Sequence, residues 1–138
     1  MKIKTLIVDD EPIARDRVRR MLHEETDIEI IGECGNGREA VNFINENKPD
    51  LVFLDIQMPE MSGFEALQEI NPAKTPAIIF VTAYDQYAIQ AFDVHALDYL
   101  LKPFNRERFT RAIGRAREQI EKANAGKIDE RLASLLAD

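Results

Sequence analysis

Three adjacent carboxylates follow an apolar run near the start of the chain, in LIVDDEP, residues 6–12. Asp9, Asp10 and Glu11 repel one another, and an acid held near a protein interior needs a cation or hydrogen bonds to stay charged. Carboxylate oxygens are the ligands that divalent cations such as Mg2+ take. By itself, an acidic triplet behind a strand is also typical of a solvated turn, so the rest of the chain must decide between a turn and a metal site.

Three further polar side chains close apolar runs of strand length. Asp55 ends LVFLD, Thr82 ends AIIFVT, and Lys102 ends ALDYLLK. A hydroxyl and an ammonium bind the oxygens of a phosphoryl group, and another acid extends a cation site. These residue types therefore indicate phosphoryl chemistry assisted by a divalent cation, provided that the fold brings the side chains together.

Strand-like and helix-like patterns alternate along the chain. We predict strands at residues 3–9, 28–34, 51–55, 77–82 and 96–102, and helices that start at Pro12 and then span residues 35–47, 64–70, 86–93 and 105 to about 122. This alternation predicts a doubly wound, flavodoxin-like α/β fold, in which a five-stranded parallel sheet carries helices on both faces. Because ligands in such folds lie outside the carboxyl ends of the strands, the acids, Thr82 and Lys102 are expected on one rim.

Composition limits the possible functions. The 138 residues fit one domain, of which 45% are hydrophobic and 31% charged. The net charge is −7, and only residues 102–138 hold more basic than acidic side chains, which argues against direct binding to nucleic acid. The chain shows no signal-peptide pattern or membrane-spanning run, and its single Cys34 excludes an internal disulfide. We therefore expect a cytoplasmic protein that is not attached to the membrane.

Four motifs on the predicted elements resemble the receiver domain of two-component response regulators. They are VDDEP at 8–12, LDIQMPEMSG at 54–63, VTAY at 81–84 and YLLKPF at 99–104. The resemblance covers residues 1 to about 120 and implies the receiver fold for residues 1–122. More narrowly, AFDVHALDYLLKPF at 91–104 is similar to receivers that precede a LytTR-type (LytR/AlgR-type) DNA-binding domain, which implies a role in transcription regulation.

The resemblance assigns a role to each rim residue. Asp55 would be the phosphoacceptor, attacking a phosphohistidine of a partner sensor histidine kinase. Mg2+ would be held by Asp10, Asp55 and the backbone carbonyl of Gln57, with Asp9 acting through a water. Thr82 and Lys102 would bind the transferred phosphoryl oxygens, and the Lys102-Pro103 peptide bond would be cis. Such a domain is not a conventional enzyme, although it catalyses its own phosphorylation and slow self-dephosphorylation.

The resemblance also implies a readout of phosphorylation. Tyr99 would act as a switch with Thr82, by turning inward when the Thr82 hydroxyl moves toward the phosphoryl group. Tyr84 and Gln57 would flank the path of the attacking water and modulate the lifetime of the adduct. The face made by the predicted helix 86–93, strand 96–102 and helix 105–122 would form a homodimer. Its basic side chains are predicted to form a solvated face or a pairing surface; they are Arg106, Arg108, Arg111, Arg115 and Arg117. Of these, Arg111, Arg115 and Arg117 could pair with Asp85, Asp93 or Asp98 on a second copy.

Residues 123–138 continue past the predicted domain. Apolar side chains recur there at helical spacing, at Ile128, Leu132, Leu135 and Leu136. We interpret the segment as a linker, or the start of a linker helix, to an output domain outside this sequence that would make any contact with DNA. The alternative is a stand-alone receiver whose tail docks on its own domain.

Two other classes of protein compete with a phosphorylated receiver. A phosphatase of the haloacid dehalogenase type also uses an aspartyl nucleophile and Mg2+, but it places a second Asp two residues later. Here Gln57 follows Asp55 at that spacing and Glu11 follows Asp9, which disfavours the phosphatase. A receiver-like binding module that is never phosphorylated is disfavoured because the acids, Thr82 and Lys102 are all present.

Overall fold

The computed structural model describes residues 2–137, and its strands form one parallel sheet in the order β2-β1-β3-β4-β5. The strands are β1 Ile3–Val8, β2 Ile28–Cys34, β3 Leu51–Leu54, β4 Ala77–Thr82 and β5 Asp98–Leu101. The helices are α1 Pro12–Leu22, α2 Gly37–Asn47, α3 Gly63–Gln68, α4 Ala88–Asp93 and α5 Arg106–Leu136. The predicted doubly wound α/β fold is confirmed.

Two apolar layers cover the sheet because its central strands are apolar on both sides. On one face, side chains of β1, β3 and β4 pack against α1 and α5, and the rings of Phe53 and Phe109 stack 5.5 Å apart. On the other face they pack against α2, α3 and α4, where the rings of Phe64 and Phe80 lie 4.9 Å apart. Continuous apolar runs such as LVFL are typical of strands buried in this way.

Parallel register brings the strand ends together. Val8 of β1 lies opposite Leu54 of β3, and Leu54 lies opposite Phe80 of β4. The strand order reverses between β1 and β3, which is the point where ligands bind in doubly wound folds. The side chains that follow β1 and β3 therefore share one rim with the end of β4.

Local capping explains where three helices begin. The Asn36 side chain accepts a hydrogen bond from the Glu39 N–H at the start of α2, and Asn105 accepts one from the Arg108 N–H at the start of α5. Helix α3 starts with a reciprocal capping box between Ser62 and Glu65. This box fixes the loop that leads from Asp55 into α3.

Helix α5 is longer than the sequence predicted. It is continuous for 31 residues, so the helix end predicted near Lys122 is wrong. Its first half buries an apolar stripe against the sheet, consisting of Phe109, Ala112, Ile113, Ala116 and Ile120. Its second half leaves its apolar side chains exposed, namely Ile128, Leu132, Leu135 and Leu136. Within residues 2–137, no helix has both the length and the hydropathy needed to cross a membrane.

Four of the five arginines predicted to form a solvated or pairing face of α5 bind acids of their own chain. Arg108 and Arg115 both bind Asp98 of β5. The other ion pairs join Arg106 to Glu24 and Arg117 to Glu25 and Asp27. These contacts hold α5 against the sheet and against the loop between α1 and β2.

Candidate functional site

Three carboxylates meet at the rim beyond β1 and β3. Asp9 and Asp10 follow β1 and Asp55 follows β3, and each offers an oxygen within 4.8 Å of the others. Asp9 and Asp55 are buried, whereas Asp10 is partly exposed. The Asp55 N–H donates to the Val8 carbonyl (2.9 Å), which joins the loop after β3 to the end of β1. Like charges this close in a buried site all stay ionised only when a cation compensates them.

Lys102 supplies one such positive charge. Its Nζ lies 2.9 Å from Oδ2 of Asp9 across the rim, and the other oxygen of Asp9 accepts the Glu11 N–H at 3.0 Å. Burial alone would lower the pKa of Lys102, but the hydrogen bond and charge of Asp9, aided by Asp55, raise it overall. The ammonium is therefore held in its charged form at the mouth of the site.

A single lysine does not balance three acids. Burial, strengthened by the charge of Asp9 and less by that of Asp10, raises the pKa of Asp55 to about 7, although Lys102 opposes the shift. An acid with this pKa is only partly ionised at neutral pH without a further cation. The donor set, which consists of carboxylate oxygens alone, fits the hard cation Mg2+.

Thr82 closes β4 beside this cluster and is completely buried. Its Oγ1 accepts a hydrogen bond from the Tyr84 N–H at 3.2 Å. The Tyr99 hydroxyl donates to the carbonyl of that same Tyr84. The half-buried ring of Tyr99 is therefore connected to the Thr82 hydroxyl through the backbone of one residue.

A family model described as the response regulator receiver domain matches residues 5–114. The chain belongs to this family. The match makes the protein a phosphoacceptor signalling domain rather than a conventional enzyme, and the haloacid-dehalogenase alternative is wrong.

Curated relatives carry the same receiver within longer chains. The transcriptional regulatory protein BtsR of Escherichia coli is 46% identical over 133 residues, which are 96% of this chain and 56% of BtsR. An uncharacterized response regulatory protein of Shewanella oneidensis is 50% identical over 118 residues, which are 86% of this chain and 50% of that protein. The receiver thus spans about half the length of the curated relatives it matches.

Solved structures of receiver domains superpose closely. The response regulatory domain of protein MrkE from Klebsiella pneumoniae matches with a TM-score of 0.81 at 32% identity, over 87% of this chain and 99% of that one. The REC domain of AraT from Geobacillus stearothermophilus matches with a TM-score of 0.80 at 31% identity, over 90% of this chain and 99% of that one.

The loop after Asp55 contacts the segment that leads into α4. Gln57 is exposed, and its Nε2 donates to the Tyr87 hydroxyl at 2.6 Å. The Tyr84 ring is 43% exposed and meets the Tyr87 ring edge-on, with centroids 6.3 Å apart. Gln57 and Tyr84 are thus connected through Tyr87, a residue that no sequence pattern marked.

The turn into α3 depends on a glycine. The Gly63 N–H donates to the Ile56 carbonyl at 2.8 Å, and a Cβ at this position would lie 2.5 Å from the Asp55 carbonyl oxygen. Only glycine permits this approach without displacing the backbone of Asp55.

Two further features complete the rim. The Lys102-Pro103 peptide bond is cis, as the resemblance implied. Arg15 of α1 donates to the Asp9 carbonyl at 2.6 Å and steadies the acidic loop. Arg15 could not be predicted from the sequence, because an arginine in the first turns of a helix has no distinctive pattern; only the folded arrangement of α1 and β1 brings it to Asp9.

Proposed function

We propose that this receiver accepts a phosphoryl group on Asp55 from a sensor histidine kinase in a Mg2+-dependent reaction. The observation that carries the proposal is the buried Asp55 carboxylate beside Asp9 and Asp10, with Lys102 at the same rim. A buried acid with two acidic neighbours is costly for the fold, so its presence supports a chemical rather than a structural role.

The proposed reaction assigns one step to each of these side chains. A carboxylate oxygen of Asp55 forms a bond to phosphorus as the bond between phosphorus and the kinase's imidazole nitrogen breaks, and the imidazole keeps the electron pair. The Thr82 hydroxyl donates a hydrogen bond to one phosphoryl oxygen, and the Lys102 ammonium binds another. To bind a phosphoryl oxygen, the Lys102 ammonium must either leave Asp9 or donate hydrogen bonds to both groups.

Asp10, Asp55 and the backbone carbonyl of Gln57 are proposed to hold Mg2+, with Asp9 acting through a water. When bound, the ion supplies positive charge that offsets both the acids and the incoming phosphoryl oxygens. The three carboxylates within 4.8 Å of one another support this assignment.

An apolar groove beside the rim supports docking of a protein phosphodonor. The groove has a volume of about 410 Å3, contains Val18 and Phe104, and borders Lys102. Ile13 at its edge is 85% exposed. We expect Ile13→Glu to reduce transfer from a kinase that phosphorylates the wild type, while phosphorylation by acetyl phosphate is unchanged, because the small donor needs no docking surface.

We propose that the receiver controls transcription through an output domain of the LytTR type beyond residue 138, which would make the contacts with DNA. BtsR is named a transcriptional regulatory protein, and this chain covers 56% of it. Residues 123–138 would serve as the linker, and because α5 runs without a break from Arg106 to Leu136, this linker is a continuation of the receiver's last helix.

We further propose that the phosphorylated receiver forms a homodimer through the face made by α4, β5 and α5. Ile89 and Phe92 of α4 are 78% and 81% exposed, and Leu101 of β5 is 43% exposed. Arg117 and Asp98 are engaged within the chain, which leaves Arg111 as a candidate partner for Asp85 or Asp93 of a second copy. Such rim charges would set the orientation of the dimer more than its affinity.

Sedimentation with Mg2+ and beryllofluoride, a phosphoryl mimic, tests the dimer. We expect a shift toward twice the monomer mass that Phe92→Glu abolishes and Ile13→Glu does not, since Ile13 is equally exposed on another face. An unchanged mass across micromolar concentrations would contradict the dimer and favour direct contact with an output domain.

Incubation with acetyl phosphate and Mg2+ tests the proposed phosphoacceptor function. We expect a single stable adduct, detected by intact-mass spectrometry. Rapid turnover with release of inorganic phosphate, or no reaction at all, would contradict it in favour of an enzyme or of a binding module.

A further inference from the structure

A buried ion pair joins β5, an edge strand of the sheet, to α5. Asp98 is 8% exposed and accepts two hydrogen bonds from the guanidinium of Arg108, at 2.6 Å and 3.0 Å. Arg115 adds a third contact at 3.3 Å. The bidentate contact from Arg108 is the strong form of an arginine–carboxylate pair. Burial alone would raise the pKa of Asp98, but the hydrogen bonds from Arg108 help to lower it overall.

The same pair contacts both main-chain groups of Tyr99. Oδ1 of Asp98 accepts the Tyr99 N–H at 2.8 Å, and Nη2 of Arg108 donates to the Tyr99 carbonyl at 3.2 Å. The backbone from which the Tyr99 ring projects is therefore held by a side chain of α5. Loss of Arg108 would release the carbonyl and loosen Asp98 as well.

Hydrogen bonds continue from Tyr99 to the phosphoryl site. The Tyr99 hydroxyl donates to the Tyr84 carbonyl, and the Tyr84 N–H donates to Oγ1 of Thr82. Because Oγ1 accepts this hydrogen bond, its own proton is left to be donated to a phosphoryl oxygen. The chain of contacts therefore orients Thr82 as a donor, which is the orientation that binding of an anion needs.

We propose that Arg108 is a positioning residue for the phosphoryl site, acting from helix α5 through Tyr99 and Tyr84 on the Thr82 hydroxyl. The inference rests on the proposed phosphoacceptor function and names a residue outside the pocket that regulates it. Coupling of this kind is reciprocal: if Arg108 favours binding of the phosphoryl group, then phosphorylation tightens the hold of Arg108 on β5. The helix that leads out of the receiver would then be fixed more firmly in the phosphorylated state.

Calorimetric titration with beryllofluoride at saturating Mg2+ tests the proposal in the full chain. We expect Arg108→Met and Tyr99→Phe each to raise the dissociation constant of beryllofluoride about 3- to 10-fold, in the range of coupling between packed residues. The double variant should bind no more weakly than the weaker single variant, because both changes interrupt the same chain of hydrogen bonds. The affinity for Mg2+ alone should stay within about twofold, since Thr82 is not among the acids of the metal site.

Arg117→Met is the matched control. Arg117 lies on the same helix, has a similar exposure, and makes a two-pronged contact with Asp27 at 2.6 Å and 2.8 Å, but it does not reach Tyr99. The Arg117→Met substitution should lower the melting temperature without changing the affinity for beryllofluoride. If Arg108→Met fails to fold, Arg108→Lys retains the charge but cannot reach Asp98 and the Tyr99 carbonyl together, so it too should weaken binding.

Several results would overturn the proposal. They are wild-type affinity in a folded Arg108 variant, effects of Arg108→Met and Tyr99→Phe that multiply in the double variant, and an equal loss of affinity in Arg117→Met. Failure of the phosphoacceptor function looks different: the wild type would then not bind beryllofluoride with Mg2+, or Asp55→Asn would bind it equally well, and this inference would fall with it.

Discussion

Nζ of Lys102 lies 2.9 Å from the carboxylate of Asp9, across 93 positions of the chain. The pair closes the rim between β1 and β5 and partly neutralises an acid that is only 4% exposed. The pair also contributes to the stability of the metal-free protein, because removal of the lysine leaves three acids close together without its positive charge.

Lys102→Met should therefore destabilise the metal-free protein by about 1–3 kcal/mol, somewhat less than the loss of a fully buried pair. Mg2+ should restore more stability to this variant than to the wild type, since it replaces the missing positive charge. Urea unfolding with and without Mg2+ measures both effects.

Arg38→Met provides the comparison, because it breaks the exposed pair with Glu69 and should cost less than about 1 kcal/mol. An Mg2+ response of Lys102→Met equal to that of the wild type would show that Lys102 does not balance the charge of the acids.

Asp55 should make metal-free stability depend on pH. Its pKa is raised from 3.8 to about 7, so the folded protein binds this proton more tightly than the unfolded chain does. The stabilisation from protonated Asp55 is complete below about pH 3.8 and is lost as the pH rises through 7.

Asp55→Asn, which is neutral at every pH, should consequently be more stable than the metal-free wild type at pH 8, by on the order of 1–3 kcal/mol. The gain should shrink toward pH 4 and in the presence of Mg2+. Thermal melts in EDTA across this pH range measure it, with Asp129→Asn in the exposed part of α5 as the control. A variant no more stable than the wild type at pH 8 would contradict the charge repulsion.

Gly63→Ala should damage the site as well as the fold. Its new Cβ would lie 2.5 Å from the Asp55 carbonyl, and a backbone atom cannot yield without moving the phosphoacceptor. We expect a loss of about 1–3 kcal/mol and a marked fall in phosphorylation by acetyl phosphate.

Gly114→Ala is the counterpart, since it lies inside α5 with no atom within 4 Å of its added Cβ. It should stabilise the protein by about 0.5–1 kcal/mol and leave phosphorylation unchanged. Normal phosphorylation of Gly63→Ala would show that the loop tolerates displacement.

Tyr84→Ala should shorten the lifetime of the phosphorylated receiver. The Tyr84 ring is exposed and packs against the ring of Tyr87, and we expect it to flank the path of the attacking water. Its removal opens the line of attack, and we expect decay of the adduct to quicken several-fold. Loss of the phosphorylated band on a phosphate-affinity gel follows the rate, and an unchanged or slower decay would count against this obstruction.

The sequence predicted the sheet and the rim because both depend on strong local patterns. Continuous apolar runs identified the strands, and the central site residues directly follow or end one of them, namely Asp9, Asp55, Thr82 and Lys102. Parallel register then brings such residues to one edge whatever their side-chain conformations.

Other features depend on side chains that meet only after folding. The Asp98–Arg108 pair and the contact between Gln57 and Tyr87 join separate elements, and no spacing along the chain marks them. The predicted helix ended near Lys122, whereas the observed α5 continues through Gly126. A helix tolerates one exposed glycine at a cost of about 1 kcal/mol when good helix formers surround it.

The most direct test of the central claim is the intact mass of the wild type and of Asp55→Asn after incubation with acetyl phosphate, with Mg2+ or with EDTA. The account predicts one added phosphoryl group per chain for the wild type with Mg2+, and none for the wild type in EDTA or for Asp55→Asn in either condition. Modification of Asp55→Asn to the wild-type extent, or of the wild type equally well in EDTA, would contradict it.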